Sequence, residues 1–487
     1  MSEEKPKRDK TRASSDYALK WNSINWTIVE AKVSKLQSRI AKAVLEKRIN
    51  LVKKLQYLLS KSFYARLLAV KRITSNKGKR TAGVDNEKWC SDSSKYKGAL
   101  SLTNKKYRAV PLKRTFIKKS NGKKRPLGIP TFYDRAMQAL YLLGLDPICE
   151  SLLDKTSFGF RKYRSAKDAC QYLFRLLAGK YSAKWVLEGD IKSCFDNISH
   201  QWLRDNVIMN KKVLNQFLKA GYVFEKNLYP TNSGAPQGGI ISPALSNLAL
   251  NGMASMLKNK YWTNSVGTIS REYNKEKVSI TVYADDFVIT AKRRETLVEI
   301  KMMIENYLKE RGLELSKEKT VITHIKKGFD FLGWNFREYN NKFLITPSVK
   351  SLRKITRKIK EVIRVNLMQK QEILIRKLNQ IIQGWCNYHK HTCAKKKTFQ
   401  TLDNHIFRCL WIWAKRRHSK KSKGWRKTKY FERIENRDWI FKSEKATLLF
   451  ASAFKIKRHV LIRFEANPYL QEYEEYYSNR RLANHYH

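Results

Sequence analysis

The chain has 487 residues, too many for one hydrophobic core, so about two to four domains are expected. Lys and Arg number 100 against 42 Asp and Glu, a net charge of +58 spread along the whole length. Such an excess repels itself in a free globule and calls for a polyanionic partner, nucleic acid first; no stretch reaches the roughly 18 apolar residues of a spanning helix, so no membrane partner is expected.

The seven cysteines are odd in number and include no Cys-x-x-Cys, which argues against a disulfide framework and a Cys₄ zinc site. The run Cys386-x-x-His389-x-His391-x-Cys393 looks metal-like, but its spacing suits no common site and it falls in a helical pattern. The N-terminus has no apolar run of a secretory signal, and a reducing intracellular compartment is expected.

In chain order, residues 1–16 are polar and read as a disordered tail. From Trp21 to about residue 75, apolar residues recur at helical spacing (Val29, Val33, Leu36, Ile40, Val44), and a basic glycine loop follows over 76–86. Residues 107–130 read as a hairpin turning at Ser120-Asn121-Gly122. A helix is expected after Thr131, and Trp185 to Ile191 reads as a strand that ends in Asp190. Two β-branched runs, Ser279–Val282 and Phe287–Thr290, flank Tyr283-Ala284-Asp285-Asp286, so the acidic pair is expected at a tight hairpin turn. Near residues 340–350 the mixed pattern gives way to helices. A long basic helix is expected over 350–383, with Ile355, Ile359 and Ile363 on one side and Arg353, Arg357 and Arg364 beside them. A second helix is expected over 397–417, and residues 415–429 carry nine Lys or Arg and no acid.

Adjacent carboxylates repel each other unless a cation lies between them. Asp190, 95 residues before Asp285, adds a third acid from another strand. Such a set can share two Mg²⁺ ions about 3.5–4 Å apart, one assisting attack by a 3′-hydroxyl and the other neutralising a leaving pyrophosphate.

In its motifs the chain resembles a reverse transcriptase, most closely those encoded by bacterial and organellar group II introns. The resemblance runs over roughly residues 17–480. It rests on Arg125-Pro126-Leu127-Gly128-Ile129-Pro130, Gly159-Phe160-Arg161, Asp190 to Ile198, Gly234-Ala235-Pro236-Gln237-Gly238-Gly239, Tyr283-Ala284-Asp285-Asp286, Leu315-Ser316-Lys317-Glu318-Lys319 and Phe331-Leu332-Gly333-Trp334, in that order. It implies an α+β right-hand polymerase with fingers and palm over 87–345, a helical N-terminal extension over 17–86, a helical thumb or maturase domain X over 346–430 and a DNA-binding-like segment over 431–487.

The resemblance also assigns roles. Asp190, Asp285 and the Ile191 carbonyl would hold two Mg²⁺, with Asp286 completing the acidic turn. Lys119 and Arg125 would fold onto the triphosphate of a dNTP, and Phe195 would fill the space of a ribose 2′-hydroxyl. Gln237 would lie against nucleotide and template, and Lys319 on the triphosphate side. Phe331, Leu332, Gly333 and Trp334 would grip the primer. Arg353, Arg357, Arg364, Lys415, Arg416, Arg417, Lys420, Lys421 and Lys423 would contact phosphates. The implied partners are group II intron RNA, an RNA template with a DNA primer, and target DNA. The implied setting is bacterial cytoplasm near the nucleoid, or an organelle. No Cys lies beyond Cys409, so the HNH nuclease that ends many relatives is not expected in this chain.

Overall fold

A computed structural model describes residues 10–118, 122 and 124–485. Five helices open it: α1 (Lys10–Asn22), α2 (Trp26–Leu45), α3 (Ile49–Lys61), α4 (Phe63–Ser75) and α5 (Asp92–Ser101). Asn25 starts α2 by accepting from the Ile28 N–H, and Val29, Val33, Ile40 and Val44 form its buried stripe. These helices surround α6 (Phe132–Leu152), which is buried on nearly every side. Pro147 has no N–H to give the Leu143 carbonyl, and Gln37 of α2 supplies the missing donor at 2.7 Å. Two boundaries differ from expectation. Helix α1 begins at Lys10, so the expected tail is helical in its second half. Nor does the helical layer stop at residue 86, because α1 rests on α5, with Tyr17 stacked on Tyr96.

Strands β1 (Leu112–Lys118) and β2 (Lys124–Ile129) form the expected antiparallel hairpin. Helix α7 (Ala166–Leu177), strand β3 (Trp185–Asp190) and the short helices α8 (Cys194–Asn197), α9 (His200–Asn206) and α10 (Lys211–Leu218) come next. Strands β4 (Tyr222–Phe224) and β5 (Asn227–Tyr229) extend the hairpin into a sheet of order β2-β1-β4-β5. After α11 (Ser242–Leu250) and α12 (Met253–Tyr261), β6 (Ser279–Tyr283), β7 (Asp286–Ala291), α13 (Arg294–Lys309) and β8 (Val321–His324) complete the central sheet, ordered β6-β7-β3-β8 and antiparallel throughout. Its strands alternate between two cores. Leu187 and Ile289 face α13, whereas Val186 and Val288 face α7.

A three-stranded sheet, β9 (Phe329–Phe331), β10 (Trp334–Tyr339) and β11 (Lys342–Pro347), leads into α14 (Val349–Val365), α15 (Gln371–His389) and α16 (Lys396–Arg417). The long helix expected over 350–383 is therefore two helices. The chain breaks at Asn366, whose Nδ2 donates to the Val362 carbonyl while Lys377 donates to its Oδ1 and the Trp413 indole to its carbonyl.

The segment expected to be DNA-binding-like divides. Its first strands, β12 (Phe431–Ile434), β13 (Arg437–Ser443) and β14 (Ala446–Thr447), pack on α14–α16 together with α17 (Lys423–Tyr430), the last helix of the expected thumb. The remainder, through α18 (Glu474–His485), returns to the palm and buries Ile462, Ala466 and Tyr477 against α7.

Candidate active site

The register of the central sheet sets Asp190 opposite Asp286 and Tyr283 opposite Asp286. The two-residue turn is therefore Ala284-Asp285, and Asp286 is the first residue of β7 rather than a turn residue. Ala284 takes φ +57°, the left-handed region such a turn demands. Gly159 makes room for it, since a Cβ there would lie 2.3 Å from the Ala284 nitrogen. The Gly159 segment is fixed by Asn247, which donates to the Gly159 carbonyl at 2.8 Å, and by Phe158, whose N–H donates to Val282. Gly189 performs a similar service across the strands, where the Phe287 ring lies over its Cα.

Three acids this close repel. Burial, then Asp285 and Asp190, push the Asp286 carboxyl up to about 6. Lys319 lies on Asp190 itself, its Nζ donating to both carboxylate oxygens at 2.8 and 2.9 Å. The Leu315-Ser316 run holds it there: the Ser316 N–H donates to the Asp190 carbonyl, and Ile191 faces Leu315 as a non-hydrogen-bonded pair, which turns the Ile191 carbonyl out of that ladder. The donors are carboxylate and carbonyl oxygens, the hard set that suits Mg²⁺. No three His, Cys, Asp or Glu side chains converge into a closed cation cage among the described residues. Asp190, Asp285 and the Ile191 carbonyl would hold Mg²⁺, an ion usually bound by one or two carboxylates and completed by substrate phosphates.

A cleft of about 550 Å³ separates the β1–β2 hairpin from the palm, lined by Arg114, Phe116, Phe195 and Gln237. Phe195 meets Phe160 edge to face at 6.4 Å. The Gln237 carbonyl accepts from the Gly128 N–H at 2.7 Å, and Gly238, at φ +110°, passes so close that a Cβ would touch the Gly128 oxygen. The Gln237 Oε1 is buried with no described partner. Arg125 is exposed on β2 opposite Ile117, and Lys119 lies outside the described residues. Sequence reasoning missed Arg114, which packs its guanidinium 3.7 Å above the Tyr222 ring at the cleft. The available signal was its place two residues before Phe116, on the same face of the strand.

Family comparisons agree along the chain. A model of the N-terminal domain of reverse transcriptase matches residues 21–102, one of reverse transcriptase (RNA-dependent DNA polymerase) residues 117–336, and one of the group II intron maturase-specific domain residues 352–431. Protein YkfC of Escherichia coli is 35% identical, over 54% of this chain and 77% of its own length. The chain belongs to the group II intron reverse transcriptase and maturase family. Group II intron-encoded protein LtrA of Lactococcus lactis is 33% identical over 58% of this chain, which spans 56% of that relative's length. A putative COX1/OXI3 intron 1 protein of Saccharomyces cerevisiae is 26% identical over 67% of this chain.

The family's primer-grip motif is only partly open here. Leu332 and Gly333, at φ +50° and +84°, form the turn, with Gly333 exposed and Leu332 half-buried. Phe331 and Trp334 are buried and cannot reach a primer, a correction to the sequence reading. Trp334 instead stacks flat on Tyr388 of α15 at 4.5 Å, and the Tyr388 hydroxyl donates to the Leu332 carbonyl at 2.9 Å. Arg353, Arg357 and Arg364 line the exposed side of α14, opposite the buried Ile355, Ile359 and Ile363. Lys415, Arg416, Lys420, Lys421 and Lys423 are exposed. Arg417 is spent within the protein, donating to the Leu367 and Gln369 carbonyls at the helix break. Among the described residues no helix is long and apolar enough to cross a membrane.

Proposed function

We propose that this chain is an RNA-directed DNA polymerase that also binds its own group II intron RNA, assists its splicing and copies it into DNA during intron mobility. The observation that carries the reading is the strand register that sets Asp190 against Asp286 beside the Asp285 turn, next to the Phe195–Gln237 cleft. The reaction joins the primer 3′-oxygen to the α-phosphorus of a dNTP and breaks that phosphorus's bond to pyrophosphate, which leaves as the hydroxyl proton is lost. Two Mg²⁺ ions, when bound, supply activation of the hydroxyl and neutralisation of the pyrophosphate.

The chain's own residues position the reactants. Asp190, Asp285 and the Ile191 carbonyl provide the oxygens for those ions. Phe195, braced by Phe160, blocks the space beside the sugar C2′, so a deoxyribose fits and a ribose does not. Arg114 brings positive charge to the triphosphate at the cleft, whereas Arg125, level with Ile117, lies on the other face of the hairpin. Lys319, already neutralising Asp190, exchanges onto the triphosphate as the substrate complex forms. The Leu332-Gly333 turn meets the primer, and the basic faces of α14 and residues 415–423 meet RNA phosphates and target DNA. The intracellular setting expected from the sequence goes with this reading.

Primer extension tests it. Wild-type protein with an RNA template, a DNA primer, dNTPs and Mg²⁺ makes DNA, and no synthesis refutes the polymerase. A splicing reaction with the flanking intron RNA at low Mg²⁺ tests the maturase separately. Splicing is expected only with protein, and Asp285→Ala should still promote it; equal splicing without protein refutes the assignment.

A further inference from the structure

Two buried side chains at the start of α6 hold the walls of the nucleotide cleft, although neither lines it. Asp134 and Gln138 stand one turn apart on the same face of the helix, 2% and 3% exposed. Asp134 holds the hairpin wall by both of its roots. Ahead of β1, the Tyr107 hydroxyl donates to its Oδ1 at 2.7 Å and the Val110 N–H to its Oδ2 at 3.2 Å. Beyond β2, the Thr131 hydroxyl donates to the same Oδ2 at 2.8 Å. Arg135, next in the chain, donates to the Pro130 carbonyl at 2.8 Å and steadies that second root.

Gln138 holds the palm wall. Its Oε1 accepts from the Ile240 N–H at 2.7 Å, and Gly239 passes so close that a Cβ there would lie 3.0 Å from the same oxygen. The Gly239 N–H and the Ser242 hydroxyl both donate to the Pro236 carbonyl, at 3.0 and 2.8 Å, which carries the hold back to Gln237. The two walls then meet at the bond from the Gly128 N–H to the Gln237 carbonyl. Helix capping asks for less than this. Thr131 caps α6 by accepting from the Asp134 N–H at 3.1 Å, and a capping box would turn the acid back to the Thr131 N–H. Asp134 instead reaches across to the chain ahead of β1, and Gln138, one turn further in, caps nothing. Burial pushes the Asp134 carboxyl up, while its bonds from Tyr107, Thr131 and Val110 pull it back. A buried carboxylate is a costly cap, but its charge-assisted bonds fix both roots more firmly than neutral ones would.

We propose that Asp134 and Gln138 are positioning residues for DNA synthesis: from one helix they set the separation of the hairpin and palm walls, and so the fit of the incoming dNTP between Arg114 and Gln237. This rests on the polymerase reading above. A wall that keeps its place only a tenth of the time weakens apparent nucleotide affinity about tenfold, because binding must first restore it. The catalytic acids hang from other contacts, the β3–β7 pairing and the Asn247 bond behind the Asp285 turn, so the rate at saturating dNTP should change little. Further ties of the hairpin, from the Ala109 N–H to Gln216 and the Leu112 N–H to Gly221, survive the loss of either residue and keep the region folded.

Single-turnover primer extension on an annealed RNA template and DNA primer, followed across dNTP concentration, separates apparent dNTP Kd from maximal rate. The full chain carrying Asp134→Asn or Gln138→Met should show a dNTP Kd raised about tenfold, with maximal rate and duplex affinity within about twofold of wild type. Asp403→Asn is the control. It weakens a comparable pair of bonds in the thumb, from the Ala451 and Ser452 N–H groups, and should lower melting without moving the dNTP Kd. If Asp134→Asn fails to fold, Tyr107→Phe removes one donor, keeps the ring and should raise the Kd about threefold. Three results overturn the inference while wild type still extends primers: lowered melting with an unchanged dNTP Kd, equal losses of dNTP affinity, rate and duplex affinity, or a Kd raised as much by Asp403→Asn. No extension by wild type overturns the polymerase reading instead.

Discussion

Gly159→Ala probes the active-site turn from behind. The added Cβ would stand 2.3 Å from the Ala284 nitrogen, 3.0 Å from the Tyr283 carbonyl carbon and 3.1 Å from the Ala284 Cα. All three are backbone atoms, so no side chain can swing aside. Ordinary contact begins near 3.4 Å, so the turn, the Gly159 segment or both must shift by about 1 Å. The Asn247 and Phe158 hydrogen bonds hold the Gly159 side, which directs much of that shift into Ala284-Asp285. Overpacking of this kind costs about 1–3 kcal/mol of stability. A misplacement of about 1 Å at reacting groups costs roughly a hundredfold in rate. The assay is single-turnover primer extension with duplex affinity measured in parallel: the rate should fall by about that factor and affinity should change little. Gly179→Ala, whose added Cβ meets only the Ser182 Cβ at 3.9 Å, is the control and should extend primers normally. Wild-type rates from Gly159→Ala would refute the idea that this contact sets the catalytic geometry.

Phe195→Ala opens the space beside the sugar and should raise ribonucleotide incorporation relative to deoxynucleotide; unchanged discrimination would remove Phe195 from that role. Asp286, pushed up to about 6, binds a proton more tightly folded than unfolded, so its favourable contribution is complete below the ordinary carboxylate value of 3.8 and is lost as pH rises through 6. Metal-free Asp286→Asn should therefore lose less stability than wild type between pH 5 and about pH 7.5, by roughly 1.4 kcal/mol in denaturant titrations, and parallel curves would contradict the burial of Asp286 beside the other two acids. Trp334→Ala should cost about 3–5 kcal/mol because the ring is core, whereas Leu332→Ala, at a half-buried residue on the edge of the same core, should cost less and weaken primer use. Loss of primer binding at normal stability for Trp334→Ala would restore it to the grip.

The meeting of the three acids was legible because strand signals bracket them: β-branched runs around residues 279–290, and a strand that stops at Asp190. What stayed hidden depends on partners far along the chain. Nothing near Trp334 announces that Tyr388 will cover it. The break at Asn366 needs Trp413, and the return of the C-terminal segment needs Asp168, 291 residues before His459. Lys319 was expected on the triphosphate side, and its hold on Asp190 needs the Ile191–Leu315 bridge, a tertiary contact. Arg417 reads as one more base in a basic run, and only the carbonyls freed at the helix break explain where it goes.

In the proposed function one acidic centre performs the chemistry while separate basic surfaces hold RNA. It is tested most directly by measuring primer extension and intron RNA affinity on the same preparations of wild type and Asp285→Ala. The account predicts dNTP-dependent synthesis by wild type, none by Asp285→Ala, and equal RNA affinity for both. Synthesis that survives in Asp285→Ala, or RNA binding that is lost with it, would contradict the account.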